Sequence, residues 1–283
     1  MKADLHCHSY FSDGKHPAGF LIERALGNGV THLALTDHDC TNVYVDLECC
    51  QELSILKGVE ISCTWQNHEL HIVGLHINTG HSQLEKLLST QQEKRRQRVR
   101  EMDAKLSKMN IQGLLPYMSD LSAVSQTRSH IADFLVQEQF CKTRKKVFKQ
   151  YLNKHGKAYV GAHWCALGEA VEAITSAGGI AVLAHPGRYG MNRTKLSSLV
   201  DAFKETGGGA LECTYPNISI EMQAHLLKLA VDKGLYVSGG ADFHDASATC
   251  TDVGKFPTLP EGTHQFGVWH HPMWCGTAPA LTA

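Results

Sequence analysis

Ala3-Asp4-Leu5-His6-Cys7-His8 reads as a short strand that ends in two histidines. In extended chain, residues two apart face the same side, so the imidazoles of His6 and His8 converge while Cys7 points away. The pattern of a short apolar run closed by polar residues then recurs. Residues 3–5, 32–35, 55–61, 70–75, 180–184, 210–213 and 236–238 read as strands, and residues 20–26, 43–53, 168–177, 196–205 and 218–233 as helices between them. This alternation predicts a parallel α/β architecture, either an open sheet or a barrel.

The residues that close the strands share one chemistry. Ser12-Asp13-Gly14 follows the first strand, Thr36-Asp37-His38-Asp39 the second, and Val59-Glu60-Ile61 lies in the third. His71 sits on the fourth, Ala184-His185-Pro186-Gly187 ends the fifth, and Asp242-Phe243-His244 follows the last. Each alone has an ordinary structural use, Asp13 as a turn residue before glycine for example. Glu60 is harder to place in that way, because a carboxylate in an apolar run costs free energy unless paired or bound to metal. Together the set lies where parallel α/β folds place active sites, and His with Asp and Glu suits Zn, Mn or Fe. It has more donors than one ion takes from protein in most sites, so more than one metal is expected.

Composition bounds the remaining choices. The 283 residues are 43% hydrophobic and 19% charged, as in an ordinary soluble globular protein. No apolar run approaches the ~18 residues of a membrane helix. The start, Met1-Lys2-Ala3-Asp4-Leu5-His6, lacks the apolar stretch of a signal peptide, so a cytoplasmic location is expected. The 10 cysteines contain no C-x-x-C pair and read as reduced and mostly buried; histidine, at 18, is the unusual count. The net charge of −1 hides an asymmetry: residues 81–165 hold 16 Lys+Arg against 7 Asp+Glu, leaving 27 − 16 = 11 basic and 28 − 7 = 21 acidic elsewhere. That basic segment is also helical and strand-free, which predicts a cap (residues 81–165) inserted into an α/β unit made of residues 1–80 and 166–283.

Asp4-Leu5-His6-Cys7-His8-Ser9, Ser12-Asp13-Gly14, Thr36-Asp37-His38-Asp39, Gly58-Val59-Glu60, His71, His185-Pro186 and Asp242-Phe243-His244 occur in an order that resembles the polymerase-and-histidinol-phosphatase (PHP) family of metal-dependent phosphoesterases, from residue 3 to about 245. The resemblance implies a distorted seven-stranded α/β barrel and a site for three divalent metals, Mn²⁺ foremost, with Zn²⁺ or Fe²⁺ as alternatives. It implies that His6, His8, Glu60 and Asp242 hold one ion, Asp13, His38 and His244 a second, and His71 and His185 with bridging Glu60 a third. Asp13, His38, Glu60 and His244 are thereby also catalytic candidates, and Asp37 becomes a carboxylate that orients a ligand histidine.

Within the family the chain is most similar to a branch with a helical insertion, which includes nucleoside 3′,5′-bisphosphate phosphatases and the bacterial 5′-to-3′ exoribonuclease RNase AM. Thr127-Arg128-Ser129-His130, Gly156-Lys157-Ala158-Tyr159 and His185-Pro186-Gly187-Arg188 carry that similarity. It implies that Arg128, Lys157 and Arg188 bind substrate phosphate and that His130 lies near the leaving group. Arginine suits the task, since its planar fork grips phosphate oxygens in pairs. The basic run Glu93-Lys94-Arg95-Arg96-Gln97-Arg98-Val99-Arg100 reads either as a solvated face or as part of a phosphate-attracting lid.

The expected activity is hydrolysis of nucleotide phosphate esters or RNA 5′ ends through a metal-activated water, with no membrane and no obligate protein partner. Two alternatives stand beside it: a small-metabolite phosphatase of the histidinol-phosphatase type, and a non-catalytic, metal-containing nucleic-acid-binding module. Trp269-His270-His271-Pro272 has no assigned role.

Overall fold

A computed structural model of the chain describes residues 1–45, 47, 50–247 and 251–274. In chain order the strands are β1 (Ala3–Asp4), β2 (His32–Leu35), β3 (Ser54–Trp65), β4 (His68–Leu75), β5 (Cys165–Ala166), β6 (Ile180–Leu183), β7 (Ala210–Thr214) and β8 (Tyr236–Gly239). The α-helices are α1 (Ala18–Gly27), α2 (Ser82–Ser107), α3 (Leu114–Ser119), α4 (Arg128–Gln137), α5 (Arg144–Val147), α6 (Leu167–Ser176), α7 (Arg193–Glu205) and α8 (Ile220–Lys233).

Seven strands run in the order β1-β2-β3-β4-β6-β7-β8, and the two-residue β5 pairs on the side with β3. The sheet curls until its ends meet. The Leu5 amide reaches the Gly239 carbonyl at 3.2 Å, the Asp242 amide reaches His6 at 2.7 Å and the His8 amide reaches Phe243 at 2.9 Å. This is a distorted, nearly closed α/β barrel. Strand alternation supplies two cores. Val59, Ile61, Ile72, Leu183 and Leu211 pack with Ile174, Leu196 and Leu199 of the surrounding helices, so they face outward. The alternate set, with Leu5, Leu56, Val73, Val182 and Ala210, fills the interior.

Two expectations are corrected. The sheet is mixed rather than parallel, because β4 is antiparallel to both β3 and β6. Only Gln66 and Asn67 separate β3 from β4, at φ +44° and +64°, the tight hairpin turn that a parallel crossover cannot use. The helix expected at 43–53 is also not formed as read: a 3₁₀ turn at Asn42–Tyr44 takes its start, and Asp46, Glu48 and Cys49 lie outside the described residues. Tyr44 instead plugs the gap between strands, its hydroxyl accepting the Gly58 amide at 2.7 Å and donating toward the Leu56 carbonyl. That burial outweighs local helix propensity.

Between β4 and β5 the chain is helical, and its Met102, Leu106, Leu114, Ile131, Leu135 and Val147 form a separate cluster. Among the described residues no helix is long and apolar enough to cross a membrane. The seven described cysteines are free, and six of them are buried.

Candidate metal centre

At one end of the barrel, His6 and His8 leave β1 with their rings 5.2 Å apart, while Cys7 turns into the apolar layer under α1, as strand alternation requires. Asp37, His38 and Asp39 follow β2. Glu60 lies within β3, and His71 comes from the first half of β4. His71 reaches this end because β4 runs against its neighbours, whereas a parallel β4 would bring its C-terminus here. His185 follows β6, and Asp242 and His244 follow β8.

Glu60 is the hub, fully buried and flanked by five imidazoles. Its Oε1 lies 3.2 Å from His6 Nε2, 2.9 Å from His71 Nδ1 and 3.1 Å from His185 Nε2. Its Oε2 lies 3.3 Å from His8 Nε2 and 2.9 Å from His38 Nδ1. Asp242 Oδ1 is 3.1 Å from His8 Nε2 and 3.4 Å from His6 Nε2. Asp13 Oδ1 sits 3.2 Å from His244 Nε2 and 3.6 Å from His38 Nε2. All nine expected ligand positions therefore converge.

The donor set fits divalent cations. His6 Nε2, Asp13 Oδ1, His38 Nδ1, Glu60 Oε2 and His71 Nδ1 are buried, and although each lies 2.9–3.2 Å from a carboxylate or imidazole neighbour, none of these contacts has hydrogen-bond geometry. Close approach without hydrogen-bond geometry at five clustered atoms fits lone pairs directed at shared ions. Three overlapping groups have donor atoms within 4.8 Å of one another: His8, Asp13, His38 and His244; His6, His8 and Glu60; and His38, Glu60 and His71. His8 and His38 each fall in two groups, a sharing that the one-ion-per-set assignment lacks.

Electrostatics split the histidines. Burial, with His244 beside it, pushes His8 down to about 3. Burial also opposes charge on His244, yet Asp13 and Asp242 outweigh it and raise that group to about 9. For His6 the same opposition is overcome by Glu60, Glu212 and Asp242, which hold it well above its usual value. Burial would raise Glu60, Asp13 and Asp242, but the surrounding imidazoles keep all three well below the ordinary carboxylate range. Anionic oxygens beside imidazoles that must shed protons to ligate are the electrostatics of a cation site.

Two further carboxylates brace the donors. Asp37 accepts from the Ser9 amide at 2.8 Å and from the Ser9 and Ser12 hydroxyls at 2.6 Å each, and Ser12 Oγ lies 3.4 Å from His8 Nδ1. It thus reaches the candidate ligand His8 through Ser12 rather than directly. Glu212, absent from the expected set, contacts His6 and the His185 amide. Its signal is present in the sequence, a carboxylate inside the apolar strand Ala210-Leu211-Glu212-Cys213, the same anomaly that marks Glu60. Asp39, His185 and Asp242 all have positive φ, +47°, +30° and +46°, strain of about 1–3 kcal/mol each.

The expected substrate residues are not equally placed. A cavity of about 120 Å³ opens beside the cluster, lined by Asp13, His38, His71, Arg98 and Arg128. Arg128 is half-exposed there, 3.6 Å from Glu69. Arg188 pairs with Asp242 and stacks 5.0 Å from the Tyr215 ring. His130 is buried, and its Nδ1 accepts the Thr127 amide at 3.0 Å in a capping box, while Thr127 Oγ1 donates to Asp13 at 3.0 Å. Lys157 is exposed and does not line the cavity. The basic run divides: Arg96 and Arg100 pair with exposed Glu93, whereas Arg95 and Arg98 are buried. Arg95 Nε bonds Asp39 at 2.9 Å and Arg98 Nη2 bonds Glu69 at 3.1 Å, so these two dock α2 onto the barrel.

The chain is similar to known proteins over most of its length. The chain is 37% identical over 274 residues to a 5′-3′ exoribonuclease of Escherichia coli, covering 94% of this chain and 92% of that protein. It is 37% identical over 265 residues to a 3′,5′-nucleoside bisphosphate phosphatase of Chromobacterium violaceum, covering 91% and 92%. A solved structure described as an amidohydrolase from Chromobacterium violaceum, with bound sulfate and no metal, superposes with a TM-score of 0.86 at 36% identity, covering 92% of this chain and 93% of that one. The model of the PHP domain matches residues 4–214. Most of the barrel falls within that match, and the chain belongs to the PHP domain family.

Proposed function

We propose that this protein is a divalent-metal-dependent phosphoesterase acting on nucleotides or RNA 5′ ends, as a 5′-3′ exoribonuclease, a nucleoside 3′,5′-bisphosphate phosphatase or both. The observation that carries the reading is the convergence of nine His, Asp and Glu side chains with Glu60 at their hub, five of whose buried atoms approach neighbours without hydrogen-bond geometry. The two relatives named above supply the nucleotide class. His6, His8, Asp13, His38, Glu60, His71, His185, Asp242 and His244 would hold up to three ions, Mn²⁺ foremost. Bound there, such ions lower the pKa of water and offset charge on phosphoryl oxygens.

The chain's own groups do the rest. Arg128, aimed by Glu69 at the cavity mouth, is placed to grip a phosphate. Arg188 becomes available once Asp242 turns to a cation. His130, its Nδ1 engaged as acceptor and its pKa lowered by burial, is a neutral donor behind Asp13. Residues 81–165 act as a cap that closes the cavity against the barrel, in keeping with their separate apolar cluster. A cytoplasmic location suits a nucleotide substrate.

The test strips the protein of metal, reloads it with Mn²⁺, Zn²⁺ or Fe²⁺, and offers 5′-phosphorylated short RNA, adenosine 3′,5′-bisphosphate and histidinol phosphate. Metal-dependent turnover of either of the first two supports the reading. Turnover of histidinol phosphate alone overturns it. Full activity after His8→Ala or Asp242→Ala overturns the site.

A further inference from the structure

The β3–β4 ribbon runs on past the barrel. β2 pairs with β3 only at Ser54–Lys57, and β6 pairs with β4 only at Ile72–Leu75. Cys63–Trp65 and His68–Leu70 pair with each other, backed by β5. Period-two alternation sorts the ribbon's faces. Ile61, Cys63, Leu70 and Ile72 are buried against the helices. On the other face Glu60, Ser62 and Thr64 stand beside His71 and Glu69, with Ser62 opposite His71 and Thr64 opposite Glu69. A polar ladder thus leads from the candidate metal centre to the exposed turn Gln66-Asn67, about 20 Å at ~3.3 Å per residue.

A groove follows that ladder. About 550 Å³ in volume, it lies between Thr64, Gln66 and Asn67 on one side and Tyr159 and His163 on the other, with Glu69 and Trp164 at its inner end. Glu69 and Trp164 also line the cavity beside the metal centre, so the two spaces meet at these residues. The outer wall is irregular in backbone but strapped down: Arg98 donates to the Val160 carbonyl at 3.0 Å, and Lys105 donates to that of Tyr159. Trp164 is held with Arg95 and Arg98 at 4.9 and 5.3 Å from its ring. Glu69, the carboxylate of the lining, is neutralised by Arg98 and Arg128. What remains is amides, an imidazole and a phenol ring, groups that stack on bases and bond ribose and base edges without reading phosphate charge.

We propose that this groove is the subsite for the nucleotides downstream of the reacting 5′ residue, making the protein a strand-end enzyme that gains binding from a single-stranded RNA longer than one nucleotide. The proposal rests on the nucleotide-phosphoesterase reading above. It places the 5′ phosphate at the cavity under Arg128 and carries the chain outward past Trp164 toward Asn67. Because the groove holds little free charge, the advantage of longer substrates persists as salt rises, unlike binding dominated by lysine and arginine contacts.

The experiment compares kcat/KM of the Mn²⁺-loaded protein for adenosine 3′,5′-bisphosphate and for 5′-phosphorylated RNAs of two to six nucleotides. It uses wild type, Tyr159→Ala, His163→Ala and a Gln66→Gly/Asn67→Gly double variant, glycine being able to keep the positive φ of the turn. The expected result is a preference for longer RNA in wild type, and a loss of about tenfold or more on RNA in the variants, the size of one lost base stack. Turnover of the bisphosphate stays within about twofold. Absence of a length preference, or an equal loss on both substrates, overturns the subsite while leaving the proposed function intact. If wild type turns over neither substrate, the functional reading fails instead. The groove is then decided by fluorescence anisotropy with a labelled 5′-phosphorylated hexaribonucleotide, where equal affinity of variants and wild type overturns it.

Discussion

Glu212 accepts a hydrogen bond from His6 Nδ1 at 3.1 Å, and its second oxygen accepts the His185 amide at 2.6 Å. One buried carboxylate from β7 thus holds two candidate ligands. The first contact places the proton of a neutral His6 on Nδ1 and leaves Nε2 free to face Glu60 and Asp242. The second pins a residue held at φ +30°. Glu212→Ala is expected to lower metal affinity about 10- to 100-fold, read by metal analysis after dialysis against a graded chelator. Glu212→Gln, which keeps an acceptor for the amide, is expected to lose less. Full metal occupancy in the alanine variant counts against the bracing role.

The Arg95–Asp39 pair is almost fully enclosed, with side-chain exposures of 5% and 0%. Removing one partner of such a pair leaves an uncompensated buried charge. Arg95→Ala or Asp39→Ala is therefore expected to cost about 3–5 kcal/mol of stability, read from urea unfolding, with the double variant costing much less than the sum. Arg96→Ala, at an exposed pair, is expected to change stability by less than about 0.5 kcal/mol. Similar losses at positions 95 and 96 contradict the docking role of Arg95.

Arg128 and Lys157 are expected to part company. Arg128→Ala raises KM for adenosine 3′,5′-bisphosphate by about tenfold or more, the scale of a lost charged hydrogen bond, with metal content unchanged. Lys157→Ala leaves KM for the same nucleotide at the wild-type value, because the residue stands outside the cavity. An unchanged KM in the Arg128 variant removes it from phosphate binding.

Protons and cations compete for the centre. In the metal-free protein His6 and His38 are raised and His244 is raised to about 9, in each case because neighbouring carboxylates outweigh burial. A raised histidine stabilises the fold fully below its unfolded value near 6.5 and loses that contribution as pH climbs through its folded value. Chelator-treated protein is thus expected to lose melting temperature between pH 6.5 and 9.5, while Mn²⁺-loaded protein loses less. Loading at pH 7 is expected to release protons, measured by calorimetry in buffers of different ionisation enthalpy. A heat of loading that does not depend on the buffer rules out this competition.

Much of this is legible in residue order. Apolar runs mark six of the seven main strands to within one or two residues at each end; they mark β3 as well, but it runs on to Trp65. The candidate ligand positions show through because a carboxylate or imidazole at the close of an apolar strand is costly unless paired or bound to metal. Glu212 carries the same signal, but no second motif beside it singles it out. The basic run illustrates the opposite case. Charge alone does not distinguish Arg95 from Arg96, since the difference lies in which face of α2 meets Asp39.

The sequence by itself determined the α/β class, the candidate metal donors and the helical character of the segment expected at 81–165, which follow from local periodicity and residue chemistry, and the family, which follows from the order of its motifs. Tertiary structure alone decided the direction of β4, and with it how His71 reaches the centre. It also set the bracing by Glu212, the burial of Arg95 and Arg98, the exclusion of Lys157 from the cavity, and the groove beyond Trp164. These depend on which side chains meet across long separations in the chain, and burial and pairing energies settle them only once the barrel has closed.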